Sequence, residues 1–437
     1  MRIRRSIVFN LIAFAVPTLI IFVSYPVLLH GLGAEQFGLF TLAVSLAASL
    51  SFLDLGLSPS TVRFVALELS RGDRREAGNV IATSLAFYLG VALLISTTVF
   101  LLAPWLTQQF QMPADLMPEA QKLFRIVAVQ VVISMIVNAM QGVFKATDHF
   151  DFSMLATGGL SLSMFGVPAL AVYFKLAASM SAAALYGLMA LTFVIVLIFA
   201  VVLYVCLQRN ISVRSARVRL TTLKKTLGFG SILTLHSIAG MLFVSGQRIL
   251  IGILLGPAAV AVYQLGYTVV SKVHAVLNAA SEVIFPIASS TRTSTDGLLR
   301  LYRKGMAGIL GIAVVMLGTL VLLAKPLLSL WVGEQMAAQV APLILPLSGA
   351  FLFVALTVIP YHVMNGLGRP IVNVIMSVSN VVLFSALLLS FWTLNKSLMI
   401  FALCYAGSNM LVSIAYQYYC YRVVVRRAVL GETVHES

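Results

Sequence analysis

The chain has 437 residues, of which 60% are hydrophobic and 10% charged, with a mean hydropathy of +1.01. That composition excludes an ordinary soluble domain. The formal charge of +15 raises the possibility of a nucleic-acid partner, which the placement of the charges then excludes.

Taken in order, the first half contains charge-free runs at Ser6–Ala34, Gln36–Leu53, Ala77–Ala114, Ile126–Phe144, Phe152–Phe174 and Leu176–Gln208. The second half adds Thr226–Gln247, Gly305–Ala324, Gln335–Gly368, Pro370–Asn395 and Ser397–Tyr421, and one further helix, about Ala259 to Phe285, carries charges inside it. A bilayer core requires roughly 20 apolar residues per helix, so these segments predict an all-α integral membrane protein with twelve transmembrane helices. Arg2-Ile3-Arg4-Arg5 before an apolar run resembles a signal peptide. The run is far longer than a signal core, however, and reads as the first span.

The predicted organisation is an N-terminal six-helix bundle (1–208), a basic linker (209–225), a second six-helix bundle (226–421) and a tail (422–437). Internal echoes support two like halves. Leu32-Gly33, Gly38 and Phe40 recur as Leu255-Gly256, Ala261 and Tyr263. Met140-Gln141-Gly142 with Lys145 recurs as Met364-Asn365-Gly366 with Arg369, Leu101-Leu102-Ala103 as Leu322-Leu323-Ala324, and Arg5 with Phe9 as Lys225 with Phe229. An even number of spans per half makes the repeats parallel, with a central cavity between them in the manner of a transporter.

With the N-terminus inside, the 29 Lys and Arg sort as 22 inside, 5 outside and 2 in the membrane. The basic excess is therefore the positive-inside rule, both termini are expected to be cytoplasmic, and no nucleic-acid partner is called for. Cys206, Cys404 and Cys420 have neither metal nor disulfide spacing, so no metal and no cofactor is expected. Prolines 17, 26, 168, 286 and 360 fall in or near spans, where kinks are ordinary.

Ionisable and polar groups within the membrane are the informative ones, because a charge at the centre of a span costs roughly 2.5–3.5 kcal/mol on insertion scales. The candidates for substrate binding are Lys272, His274, Arg248, Asn278, His236, Asn138 and Arg63; those for ion coupling are Asp54 and Glu282. In the eighth span Gln264, Thr268, Ser271, His274, Asn278 and Ser281 form one polar face, with Lys272 about 100° round from Ser271. Further stripes are Gln130-Ser134-Asn138-Gln141-Lys145, Arg369-Asn373-Ser377-Asn380 and Asn409-Ser413-Gln417. Such stripes either line a wet path or hydrogen-bond between helices, and the pattern alone leaves both open. Arg63 and Arg125 have the alternative role of snorkelling to the two interfaces. There is no phosphate-binding glycine loop and no gathered acid–base pair, so the chain is not expected to be an enzyme.

Leu53-Asp54-Leu55-Gly56-Leu57 with Arg63, Gln247-Arg248 through Leu255-Gly256 to Tyr263, and Met364-Asn365-Gly366-Leu367-Gly368-Arg369-Pro370 resemble the polysaccharide-transport branch of the multidrug/oligosaccharidyl-lipid/polysaccharide exporter superfamily, the Wzx-type flippases. The resemblance covers essentially the whole chain. It implies a bacterial inner-membrane flippase whose cargo is an undecaprenyl-diphosphate-linked oligosaccharide destined for O-antigen, capsule or exopolysaccharide. Membrane lipid, and a polysaccharide polymerase with its chain-length machinery, are the implied partners. Related chains often carry an acidic residue where this one has Gln247, which weakens ion coupling there. A cation-coupled multidrug exporter of the same superfamily is the alternative, and a membrane glycan polymerase a more distant one.

Overall fold

The computed structural model describes residues 2–51, 57–147, 158–176, 181–207, 217–281, 295–367, 369–393 and 395–430. Every regular element among them is helical. The first half contains α1 (Arg2–Ser51), α2 (Leu57–Ser70), α3 (Arg74–Gln109), α4 (Met117–Ala146), α5 (Gly158–Tyr173) and α6 (Ala182–Leu207). The second contains α7 (Leu220–Leu255), α8 (Pro257–Ser281), α9 (Thr295–Leu322), α10 (Ala324–Val332), α11 (Glu334–Gly366), α12 (Ile371–Trp392) and α13 (Leu398–Leu430). Eight described helices are long and apolar enough to cross a membrane, with shorter apolar helices at Gly158–Tyr173 and Val244–Leu255. Because α1 carries two expected spans and α7 and α8 carry one each, this inventory is compatible with twelve.

The helices break at glycine rather than at proline. Pro17 and Pro26 stay inside α1, whereas Gly33 interrupts it at φ 77°, ψ 168°. Gly256 separates α7 from α8 at φ 83°, ψ 175°. These are the two glycines of the first sequence echo, and they adopt the same positive-φ, extended-ψ backbone, a region essentially reserved to glycine that costs another residue of order 1–3 kcal/mol. Their surroundings differ: a Cβ on Gly33 would meet nothing within 4 Å, but one on Gly256 would lie 2.2 Å from the Gln111 carbonyl oxygen.

Two compact units divide the chain, Met1–Ala261 and Val262–Ser437. In the first, α1 to α6 pack together and α7 lies against α1, α2 and α3. The start of α6 is capped from two directions. The Gln36 side chain accepts the Ala182 amide and the Glu119 carboxylate accepts the Ala183 amide, each at 2.8 Å. Glu119, isolated in sequence, thus satisfies a helix N-terminus that would otherwise be left without a partner. The linker is also held: the Arg217 amide donates to Asn79 Oδ1 at 2.8 Å, and the Arg219 guanidinium donates to Glu76 at 3.1 Å. Residues 257–261 close this unit onto α1, where Gly38 admits the Pro257 backbone; a Cβ there would sit 1.8 Å from the Pro257 carbonyl oxygen.

In the second unit α11 is central, packing on α9, α10, α12 and α13. An aromatic chain locks α8 to it and to α13: Tyr263 stacks on Tyr267 at 5.9 Å, Tyr267 meets Phe351 edge-on at 5.6 Å, and Tyr263 meets Phe401 of α13 edge-on at 5.7 Å. Such pairs add roughly 0.5–1.5 kcal/mol beyond burial.

The Gly38–Pro257 approach makes a sharp prediction. Gly38→Ala should lower the apparent Tm in detergent by several degrees and reduce yield, because backbone on both sides has to move. Gly90→Ala, whose Cβ would enter open space, should do neither. Equal melting of both variants would contradict the close approach.

Candidate functional site

The sequence stripes resolve into three different situations. In α4, Gln130 and Ser134 are buried and consumed locally. The Gln130 amide donates to Ser134 Oγ at 3.2 Å, and the Tyr186 hydroxyl of α6 donates to Gln130 Oε1. One turn further on, Asn138 and Gln141 are half-buried and Lys145 is exposed. The stripe therefore begins as interhelical glue and ends as a surface with free polar capacity.

In α12 and α13 the stripes zip to one another. Asn373 is the hub: its amide donates to Asn365 Oδ1 at 2.8 Å, and its carbonyl oxygen accepts the Tyr416 hydroxyl. Farther along, the Asn380 amide donates to Asn409 Oδ1 at 3.0 Å, while Asn409 donates to the Tyr405 carbonyl at 2.8 Å. The Tyr302 hydroxyl of α9 donates to Gln417 at 2.8 Å. Tyr186, Tyr416 and Tyr302 were not singled out from sequence. Tyr416 had a signal, lying seven residues after Asn409 on a helix with an amide stripe, whereas the helices of Tyr186 and Tyr302 carry no asparagine or glutamine.

The eighth span, α8, differs from both. Gln264 donates to Thr268 Oγ1 at 2.9 Å, and the Ser271 and Ser281 hydroxyls donate back to carbonyls one turn earlier. Much of its polar face is thereby satisfied within the helix. Buried Tyr263, Val270, Val273 and Leu277 mark the side of α8 turned into the unit. His274 lies toward that side with its ring 5.8 Å from Phe351, and its buried Nδ1 has no hydrogen-bond partner among the described residues. Lys272 is two residues earlier, about 200° round at 100° per residue. It is half-buried on the more open side, with exposed Val276 and Ala279. Lys272 and His274 therefore do not share a face. Asn278 is half-buried between them.

Of the remaining candidates, Arg248 is half-buried on α7 beside fully buried Gln247, in the first unit. Arg63 is exposed and stands over the Phe64 ring at 5.8 Å. Arg125, also exposed, stands over Phe100 at 5.6 Å. Such aromatic-supported guanidinium groups fit an interfacial position. His236 falls on α7, but its side chain lies outside the described set, and Asp54 and Glu282 lie outside the described residues altogether. Among the described residues no group of three or more His, Cys, Asp or Glu comes together to hold a metal. What the arrangement offers is binding: a cation on a polar helix, neutral amides on others, and apolar surface round them.

An all-helical, apolar architecture of this kind, repeated about paired glycine breaks, is that of a multi-pass membrane transporter. Residues 3–292 match the family described as polysaccharide biosynthesis protein, and the chain belongs to that family. Over 395 residues it is 24% identical to the "Putative O-antigen transporter" of Shigella flexneri, covering 89% of this chain and 90% of the relative. Its fold is similar to a solved inward-facing multidrug resistance MATE family transporter of the MOP superfamily, with TM-score 0.82 and 14% identity, covering 95% of this chain and 98% of that one. A MOP superfamily transporter from Pyrococcus furiosus, described as having a binding pocket of reverse polarity, is similar at TM-score 0.60 and 14% identity, each chain being 96% covered.

The contrast between consumed and available amides is testable. Asn373→Ala should destabilise the protein by roughly 0.6–2 kcal/mol, since Asn365 and Tyr416 lose their shared partner, and a thermal melt in detergent would register it. Asn138→Ala should leave the melt unchanged while lowering glycan export; full export by that variant would remove Asn138 from the transport path.

Proposed function

We propose that the protein is a flippase that carries an undecaprenyl-diphosphate-linked oligosaccharide repeat unit across the bacterial inner membrane by alternating access, for O-antigen, capsule or exopolysaccharide assembly. The observation that carries this reading is Lys272, an ammonium held half-buried in a membrane helix on the side away from its own bundle. Family membership and the O-antigen relative support a polysaccharide-related cargo. A diphosphate is recognised by cations with few competing waters, where charge-assisted hydrogen bonds are strongest. Neutral groups such as Asn138 and Asn278 suit sugar hydroxyls, and the prenyl tail stays in lipid. No covalent bond changes, so no enzyme chemistry is required.

On this reading the two repeats (1–208 and 226–421) are the moving parts, joined by the 209–225 linker, with both termini cytoplasmic. Arg248 is the second cation offered to the diphosphate, while Asp54 and Glu282 are the carboxylates available for ion coupling. A polymerase and chain-length machinery would take the cargo on the far side. The MATE-like fold favours a second reading, a cation-coupled multidrug exporter. A site for cationic drugs calls for carboxylates, however, and the two charged candidates described on α7 and α8, Arg248 and Lys272, are both basic.

Lys272→Ala should reduce surface glycan at least tenfold at unchanged membrane abundance, in line with the roughly 1.5–3 kcal/mol of a charge-assisted hydrogen bond. Lys272→Arg should restore most of it. Wild-type glycan levels in the alanine variant would sink the role of Lys272. Drug resistance conferred by the chain, with no repeat units retained on the cytoplasmic face of a deletion strain, would replace the flippase reading by the exporter.

A further inference from the structure

The second unit contains a groove that transport of a glycan does not use. It lies between α12 and α13, has a volume of about 460 Å³, and is lined by Val372, Ile375 and Leu383 on one helix and by Leu411, Ala415 and Tyr419 on the other. Its lining is mostly apolar, with Ser379 among the lining residues. The Tyr416 hydroxyl, which borders the groove, is spent on Asn373, and the Asn380 amide on Asn409. An empty apolar slot in a membrane helix pair is filled by hydrocarbon, and its dimensions restrict which kind.

From Val372 to Leu383 the groove runs eleven residues, or about 16 Å at 1.5 Å per residue, close to half of a hydrocarbon core of roughly 30 Å. At roughly 30 Å³ for a water-sized group, 460 Å³ holds about fifteen such groups. A single acyl chain confined to one leaflet matches both measures.

One end is polar, and only with one sign. Arg422 follows Tyr419 by three residues on α13, so the two share a helix face, and its guanidinium stands 5.0 Å over the Tyr418 ring. Arg369 precedes Val372 by three residues at the start of α12 and is half-buried. Neither makes an ion pair with a carboxylate among the described residues. This is the end that the charge distribution assigns to the cytoplasmic face, where anionic headgroups are drawn to basic clusters beside membrane helices.

We infer that the α12–α13 groove is a binding site for an anionic phospholipid of the cytoplasmic leaflet, with one acyl chain along the groove and the headgroup phosphate between Arg369 and Arg422. A bound lipid would fill what is otherwise a defect in the packing of α12 on α13.

The test is native mass spectrometry of the full chain, purified in mild detergent and titrated with phosphatidylglycerol or phosphatidylethanolamine. One phosphatidylglycerol should bind per chain in preference to phosphatidylethanolamine. Ala415→Phe, which fills the groove from an exposed position, should lower its occupancy at least fivefold. Arg422→Gln should erase the preference between the two lipids. If Ala415→Phe fails to fold, Ser379→Phe on the facing helix carries the same expectation. Undiminished binding by a folded groove-filled variant would overturn the proposal. So would co-purification of a prenyl phosphate or a second copy of the chain at this site.

Discussion

Hydrocarbon offers no hydrogen bonds, so each amide, hydroxyl or carbonyl placed in it must find its partner within the protein. The consequences run through the whole structure. Backbone groups are satisfied mainly within helices, α1 continuing past Pro17 and Pro26, and among the described residues positive φ falls on Gly33, Gly72, Gly256 and Gly333, with Lys175 the non-glycine exception. Many side chains follow the same rule: Asn373 binds Asn365 and Tyr416, the Asn380 amide binds Asn409, and Gln130 binds Ser134 and Tyr186, while the Asn380 Oδ1 and the His274 Nδ1 are buried without a partner among the described residues. Even a helix start is not left open, since Gln36 and Glu119 reach from two other helices to cap α6. The polar residues of the bundles are thus divided between those that hold the fold and those left over.

That division limits what can be read from the sequence. Apolar length and charge asymmetry were sufficient for the helical class and for the membrane; Arg217 and Arg219 dock on α3. The glycine echo was also readable, because only glycine accepts the backbone found at both positions. Which stripes hold helices together was not readable. Asn373 and Asn138 look alike in a helical projection, and the difference is that another helix presents Tyr416 to Asn373, while no described residue is seen to bond Asn138. The eighth span shows a second limit. Lys272 and His274 are neighbours in sequence yet stand on different sides of α8, and burial of Val270, Val273 and Leu277 decides which of them faces the core.

The duplication has a similar lesson. Gly33 and Gly256 share a backbone geometry, but the first has open space about it while the second is pressed against Gln111. Gly38 opposes the Pro257 carbonyl, whereas its counterpart Ala261 carries a side chain. A repeat conserves the geometry of a chain reversal and leaves each copy free to acquire different neighbours. Chemistry diverges the same way: α8 carries the half-buried ammonium, and the second half of α1, its counterpart, carries none within its described residues.

On the proposed reading this asymmetry is useful. A lipid-linked diphosphate is lopsided, with concentrated anionic charge at one point, neutral sugar beyond it and hydrocarbon behind. A symmetric pair of cationic sites would hold the charge at two places and slow its release. Lys272 on α8, with Arg248 as its second cation, holds the head while leaving the rest of the cargo on weak contacts. Lys272 suits this better than an arginine tied bidentately to a carboxylate, because an ammonium is a compact charge on a flexible stem that can follow a moving phosphate. Its half-buried position strengthens the electrostatic attraction without removing all hydration, so binding and release remain comparable in cost.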